Sequence, residues 1–199
     1  MSITTRVLNR GTPPASFIQQ MVEWARTAPD DIFDRTPTIG SRDLYNKVFP
    51  DLGHYESLVH RKAVMLEVMR VLAGFESSWD WTEGVDTSRL GPDTPENAEA
   101  GAWQVSYDAR RLDLSLAKLL RDRGISDGVT FQRKMKFDHP LAMEFVARLM
   151  RVNTKHNGPL YRGAERSIIR KSLRGEEHSI YPWLKREAVA EFQALLQPV

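Results

Sequence analysis

The stretch that decides the fold lies at the centre of the chain and reads AVMLEVMRVLAGFESSWDWTEGVD, residues 63–86. Up to Phe75 it is apolar on nearly every side of a helix, interrupted only by Glu67 and Arg70, which stand at i,i+3 and can pair. A helix that is hydrophobic all round is buried inside a protein rather than lying on its surface. The sequence therefore predicts a buried central helix over about residues 55–75.

Shorter amphipathic segments surround this helix and predict a mostly α fold. Apolar residues recur at helical spacing in several of them, and Pro140 stands at a first-turn position where proline is favoured. The predicted helices are residues 17–27, 108–124, 139–153, 165–173 and 182–196. Residues 28–55 are broken by proline and glycine and predict loops and short turns. Residues 77–105 are rich in turn formers, and predict a small irregular β-hairpin or an ordered loop.

Composition limits the classes of function. The chain has 199 residues, 41 % hydrophobic and 27 % charged, which is the balance of an ordinary globular protein. It has no cysteine, which excludes disulfides, thiol nucleophiles and cysteine-based zinc sites. Its histidines show no metal-ligand spacing such as HExxH, so no metal or other cofactor is predicted. A net charge of +2 fits a mildly anionic partner but falls far short of a nucleic-acid-binding footprint.

The first residues predict a protein that is made in the cytoplasm without a classical signal. The opening stretch MSITTRVLNRGTPPASF contains no apolar run after its positive charges, so it does not resemble a secretory signal peptide. No window of the sequence reaches the roughly 18 apolar residues that a membrane span needs. We therefore expect no membrane association, and any action outside the cytoplasm would need another route.

The acidic segment after the central helix suggests acid catalysis. Glu76 comes where the apolar run stops, so burial, the negative end of the helix dipole and nearby acids would all raise its pKa. A carboxylic acid that keeps its proton near neutral pH is what glycoside cleavage requires, because the leaving oxygen must be protonated. Trp79 and Trp81 add flat apolar rings on which sugars stack, although one of them would equally serve the core.

The motifs FESSWDW and, downstream, EAGAWQVS resemble those of the lysozyme superfamily, in particular goose-type lysozymes and lytic transglycosylases. In those families a helix ends in Glu-Ser and a turn-rich segment leads to Gly-Leu-Met-Gln. Glu76-Ser77 matches the first motif, and residues 101–104, Gly-Ala-Trp-Gln, match the second. A third similarity is HNGP, in which His156 and Asn157 stand where those families carry Tyr-Asn-Ala-Gly.

The resemblance implies an α+β lysozyme-like fold in which the hairpin insert forms one side of a groove. The resemblance covers roughly residues 60–160 and has no counterpart for residues 1–55 and 165–199. Because the chain shows no clear domain linker, we expect one domain over residues 1–199, with an N-terminal helical and loop extension (1–55), a catalytic core (56–160) and C-terminal helices (161–199). Glu76 would be the catalytic acid, and Trp103, in place of a family methionine, would pack in the core. The substrate-binding candidates are Ser77, Trp79, Trp81, Gln104, Ser106, Tyr107, His156 and Asn157.

The second carboxylate is left open between two acids. A hydrolase that inverts configuration needs a base at some distance from the acid, whereas a lytic transglycosylase uses the C6 hydroxyl of its substrate and needs none. Asp86 resembles the aspartate at the far side of the goose-type insert, and Glu99 stands closer to the Gly-Ala-Trp-Gln motif. Hydrolysis is favoured over transglycosylation.

The expected function is that of a muramidase, which cleaves the β-1,4 bond between N-acetylmuramic acid and N-acetylglucosamine in peptidoglycan. The expected partners are peptidoglycan glycan strands and an inhibitor or immunity protein in a producing cell. Delivery into a rival cell as an antibacterial effector, or release at phage lysis, would bring the enzyme to the cell wall. The alternatives are a lytic transglycosylase that forms 1,6-anhydro products and a non-catalytic glycan-binding module.

Overall fold

A computed structural model of the protein describes residues 2–34, 43–53, 57–84, 94–153 and 183–197. The described part of the chain is mostly helical with one small antiparallel sheet, as the sequence predicted. The helices are α1 (Ala15–Thr27), α2 (Leu44–Leu52), α3 (Leu58–Glu76), α4 (Leu114–Asp122), α5 (Gly128–Phe137), α6 (His139–Val152) and α7 (Arg186–Leu196). The strands are β1 (Glu99–Ala100) and β2 (Val105–Ser106), and 3-10 turns span Asp30–Ile32 and Tyr107–Leu112. None of these helices combines the length and apolarity that a bilayer span requires.

Helix α3 is the buried centre of the fold, which confirms the prediction. The Ser57 hydroxyl accepts a hydrogen bond from the His60 amide (3.1 Å) and so caps the first turn. Every residue from His60 to Gly74 is buried, because α1, α6 and α7 pack around the helix. The helix is apolar on all sides because other helices cover it on all sides.

The charged pair inside α3 also forms as predicted. The Arg70 Nε donates to a carboxylate oxygen of Glu67 at 2.7 Å, and both side chains are fully buried. Arg70 donates further to the carbonyl oxygen of Thr5 (2.9 Å), and Glu67 accepts from the amide of Lys185 (2.9 Å). The pair thus ties the N-terminal segment and the residues before α7 to the central helix.

The hairpin packs against α5 through Gly101, which lies in its turn. Glu99 pairs with Ser106 and Ala100 with Val105, so the loop between the strands is short. Gly101 has φ +76°, and a Cβ built on it would lie 2.7 Å from the carbonyl oxygen of Met135. Only glycine meets both conditions without strain.

Three details of the sequence prediction are wrong or incomplete. Residues 28–55 are not only loops and turns, since they contain α2 and a 3-10 turn. The predicted helix 108–124 is divided at Asp113, whose carboxylate accepts from the Ser115 amide and caps α4. Helix α5 lies where no element was predicted, capped by Asp127 through the amide of Thr130. The predicted helix 165–173 lies outside the described residues.

Candidate active site

Glu76 is the last residue of α3 and is half-buried. The carbonyl oxygen of Ala73 accepts from the amides of Ser77 and Trp79, both at 3.1 Å, which closes the helix end in a tight turn. Ser78 and Trp79 then adopt φ of 56° and 65°, in the left-handed region. The chain direction therefore reverses immediately after Glu76, which fixes the position of this residue at the helix end.

Two tryptophan side chains form hydrogen bonds to backbone carbonyl oxygens in the last turns of α3. The Trp79 indole donates to the carbonyl oxygen of Arg70 and the Trp103 indole to that of Met69, each at 2.8 Å. A Cβ on Gly74 would lie 2.7 Å from the Trp79 ring, so this glycine makes room for the indole. Both tryptophans are buried, so Trp103 packs as predicted and Trp79 is a core residue rather than an exposed platform.

The turn of the hairpin is joined to the residues that follow Glu76. The Ser77 hydroxyl donates to the carbonyl oxygen of Ala102 (2.9 Å) and accepts from the amide of Asp80 (3.1 Å). The Gly101 amide donates to the carbonyl oxygen of Glu83 at 3.2 Å. The two motifs that the sequence separates by about 25 residues are therefore in direct contact.

At the end of α3, around the residue that precedes Glu76, lies a cluster formed by Arg10, Phe75 and Trp183, here called the arginine-aromatic cluster. The Phe75 and Trp183 rings meet edge to face with centroids 5.7 Å apart, and Arg10 lies 5.0 Å from the Phe75 ring. Successive residues of an α-helix are rotated by about 100° around its axis, so Glu76 leaves the helix on a different side from Phe75. The residue before Glu76 therefore belongs to this cluster, and the residue after it, Ser77, is hydrogen-bonded to the hairpin.

Strained backbone is concentrated at the same place. Among the described residues, four that are not glycine have positive φ, namely Asn9, Ser78, Trp79 and Gln104. Three of these belong to the two segments that meet beside Glu76. Left-handed conformations of bulky residues are costly and are typical of functional sites. The strain therefore marks the junction of the two motifs independently of the sequence resemblance.

Apart from Trp81, the remaining predicted residues fall into three groups. Three of them are half-buried on the hairpin, namely Glu99, Gln104 and Ser106. The side-chain amide of Gln104 donates to the carbonyl oxygen of Gly101 (2.9 Å) in the same turn. Tyr107 is buried, with the guanidinium of Arg110 3.6 Å above its ring. The predicted site residues that lie outside the described residues are Asp86, His156 and Asn157.

Trp81 lies between the candidate site and α6. Its ring stacks on His139 with centroids 3.9 Å apart and packs against Phe17 and Trp103. Burial lowers the pKa of His139, which favours the neutral imidazole in this stack. Trp81 therefore belongs to the edge of the core, and its stacking partner in the structure is a histidine.

Sequence reasoning missed the arginine-aromatic cluster. Arg10 is 65 residues from Phe75 along the chain, and Trp183 is more than 100 residues away, so no local pattern connects them. No group of three or more His, Asp or Glu side chains within the described residues could hold a metal ion.

Comparisons with protein-family models, curated proteins and solved structures found no match.

Proposed function

We propose that the protein is a peptidoglycan-degrading glycosidase, a muramidase of lysozyme-like fold with Glu76 as its catalytic acid. The observation that carries this proposal is the hydrogen bond between the Ser77 hydroxyl and the Ala102 carbonyl. It joins the Glu-Ser motif to the Gly-Ala-Trp-Gln motif at the end of a buried helix. In this proposal the hairpin forms one side of a substrate groove, the arginine-aromatic cluster the other, and Glu76 projects between them.

The reaction needs one proton and one nucleophile. The Glu76 carboxyl donates its proton to the glycosidic oxygen while the bond from that oxygen to the anomeric carbon breaks, and positive charge develops on the sugar ring. In hydrolysis, water adds to the anomeric carbon and a carboxylate accepts the proton of that water. In transglycosylation, the C6 hydroxyl of the same sugar adds instead and its proton returns to Glu76. The two routes differ only in the nucleophile and the second base.

The location of Glu76 suits a proton donor. The residue is half-buried and stands at the negative end of a helix that is buried from His60 to Gly74. Burial and the helix dipole both favour the protonated form of a carboxyl, whereas a cation at the same helix end, such as Arg10, acts in the opposite direction. The hydrogen-bonded turn that follows holds the backbone at Glu76, and a preorganised donor lowers the cost of reorganisation during a reaction.

Zymography against purified peptidoglycan tests the proposal. The unaltered protein should clear the gel, whereas Glu76→Gln, which keeps the size of the side chain but has no acidic proton, should not. Glu83→Gln is the matched control, because Glu83 is an exposed acid seven residues further on, and it should clear the gel. Clearing by Glu76→Gln would remove Glu76 from the mechanism. Binding to peptidoglycan with no clearing by any form would support the glycan-binding module instead.

Mass spectrometry of the digest separates the two reactions. Reducing muropeptides are expected for a hydrolase, and 1,6-anhydro products would indicate a lytic transglycosylase. If hydrolysis is found, Glu99→Gln and Asp86→Asn should be compared, because the loss of the second acid reduces turnover while leaving binding intact. An antibacterial effector and a phage lysis enzyme both fit such an activity, and in the first case the producer needs an inhibitor protein.

A further inference from the structure

The N-terminal segment forms a tight turn that presents Arg10 to the end of α3. The Val7 amide donates to the carbonyl oxygen of Gly11 (2.7 Å). In return, the amides of Arg10 and Gly11 both donate to the carbonyl oxygen of Val7 (3.0 Å). Val7 is buried and anchors the turn, while Leu8, Asn9 and Arg10 are exposed. Positive φ at Asn9 (64°) and Gly11 (98°) makes this reversal. Arg10 is therefore an exposed side chain on a defined backbone.

Arg10 reaches the residue next to the proposed acid. Its guanidinium donates to the carbonyl oxygen of Phe75 (3.4 Å) and lies 5.0 Å from the Phe75 ring. Since a carbonyl oxygen is close to the next Cα, the donating nitrogen lies within about 6 Å of the Glu76 Cα. A cation also suits the negative end of a helix. The guanidinium has more N–H groups than this contact uses, and the side chain remains exposed.

We propose that Arg10 binds the carboxylate on the lactyl branch of the N-acetylmuramic acid residue at the scissile bond, or a carboxylate of the peptide attached to that branch. This inference rests on the proposed function. If Glu76 protonates the bond between the two sugars, the lactyl branch lies within about one sugar ring of Glu76. A planar guanidinium pairs with a carboxylate through two parallel hydrogen bonds, which lysine cannot reproduce. Arg10 would then distinguish the glycan strands of peptidoglycan from chitin, whose β-1,4-linked N-acetylglucosamine units have no lactyl group.

Binding measurements on the full chain carrying Glu76→Gln test this without cleavage. The probes are a peptide-free GlcNAc-MurNAc tetrasaccharide with free lactyl carboxylates, the same tetrasaccharide with its stem peptides, and chitotetraose. Adding Arg10→Gln should weaken binding of a carboxylate-bearing probe about tenfold and leave chitotetraose unchanged. The probe that loses affinity identifies the carboxylate, either lactyl or peptide. Arg10→Lys should recover only part of the loss, and added salt should reduce the difference.

Arg6→Gln is the matched control, because it removes the same charge from an exposed arginine in the same segment. It should leave all three affinities unchanged, and equal melting temperatures should show that each variant folds. Equal losses for chitotetraose and the muramic probes would overturn the inference, since Arg10 would then be acting through the fold. No loss with any probe would overturn it as well, while leaving the proposed function intact. Failure of all three probes to bind the protein with Arg10 present would instead overturn the proposed function, and the inference with it.

Discussion

The buried pair of Glu67 and Arg70 allows a strong prediction about stability. Replacing Arg70 with methionine keeps much of the side-chain volume but removes the guanidinium, which contacts both Glu67 and the carbonyl oxygen of Thr5. Of its hydrogen bonds to described residues, the fully buried Glu67 carboxylate would keep only the one from the Lys185 amide. Breaking a buried ion pair by removing one partner costs about 3–5 kcal/mol. For a chain of this size, this corresponds to a fall in Tm of roughly 10 °C.

The pH dependence of that loss has a definite sign. Burial raises the pKa of Glu67 above its ordinary value of 4.5, while the charge and hydrogen bonds of Arg70 act in the opposite direction. Without Arg70, the pKa of Glu67 in the folded protein rises further. A carboxyl with a raised folded-state pKa takes up a proton on folding, so the free energy of unfolding falls as the pH rises from the unfolded value through the folded one. The difference between Arg70→Met and the unaltered protein should therefore be larger at pH 8 than at pH 5.

Urea unfolding followed by tryptophan fluorescence at pH 5 and pH 8 measures both effects. The double variant Glu67→Leu with Arg70→Met should recover much of the loss, because no charge is then left buried without its partner. Arg133→Met, at an exposed position of α5, is the control and should change the free energy of unfolding by less than about 0.5 kcal/mol. A loss below about 1 kcal/mol for Arg70→Met, the value of a surface pair, would refute the reasoning. So would a loss that is larger at pH 5.

Two further variants test the junction beside Glu76. Ser77→Ala removes the hydroxyl that donates to Ala102, and should lower the free energy of unfolding by about 1–2 kcal/mol. It should also reduce peptidoglycan cleavage more than Ser78→Ala, the control at an exposed position. Equal cleavage by the two variants would show that the junction does not contribute to the proposed function. Gly101→Ala places a Cβ against the carbonyl oxygen of Met135 at a residue with positive φ, and should lower the free energy of unfolding by at least about 2 kcal/mol in thermal or urea unfolding. Gly84→Ala is the control and should be nearly neutral, because a Cβ there meets open space. Similar losses for the two variants would contradict the close approach of Gly101 to α5.

The elements with a strong periodic signal were predictable from the sequence. The central helix was found because 13 residues from Ala63 to Phe75 are almost entirely apolar, which only burial on all sides explains. Helix α6 was found from its one-sided apolar pattern and from Pro140 in its first turn, and α1 from its apolar face. In each case one local property of the chain, hydrophobic periodicity, is sufficient to specify the element.

Helices α2 and α5 show where local reasoning fails. Helix α2 contains Pro50, which predicts a break, but tertiary contacts stabilise the beginning of this helix. Asp43, immediately before α2, accepts an amide hydrogen bond from Tyr45 and forms a buried ion pair with Arg151 at 3.0 Å, far away in the sequence. Helix α5 has few buried apolar residues, among them Phe131 and Met135, so its periodicity is weak. Both helices depend on partners that the local sequence does not reveal.

The candidate site was predictable to a similar extent. Glu76 at a helix end and the position of the Gly-Ala-Trp-Gln turn follow from local patterns and the resemblance. The exchange of hydrogen bonds between the two segments does not, since it depends on how the hairpin packs against α3. Arg10 and Trp183 were not predictable as neighbours of Phe75, the residue before Glu76, because the folding of the whole chain brings them there. Local sequence indicates the candidate acid, and tertiary structure supplies its surroundings.

The conformational strain around Glu76 favours a functional over a purely structural reading of this helix end. A left-handed conformation costs a residue with a side chain roughly 1–2 kcal/mol, so Ser78, Trp79 and Gln104 together represent several kcal/mol. That is a large share of the roughly 5–15 kcal/mol by which a domain is stable. Glycine at Ser78 or Gln104 would end the helix and turn the hairpin with less strain. The chain instead keeps polar side chains at both positions, next to a half-buried acid, and this cost is a reason to test the helix end for the proposed function.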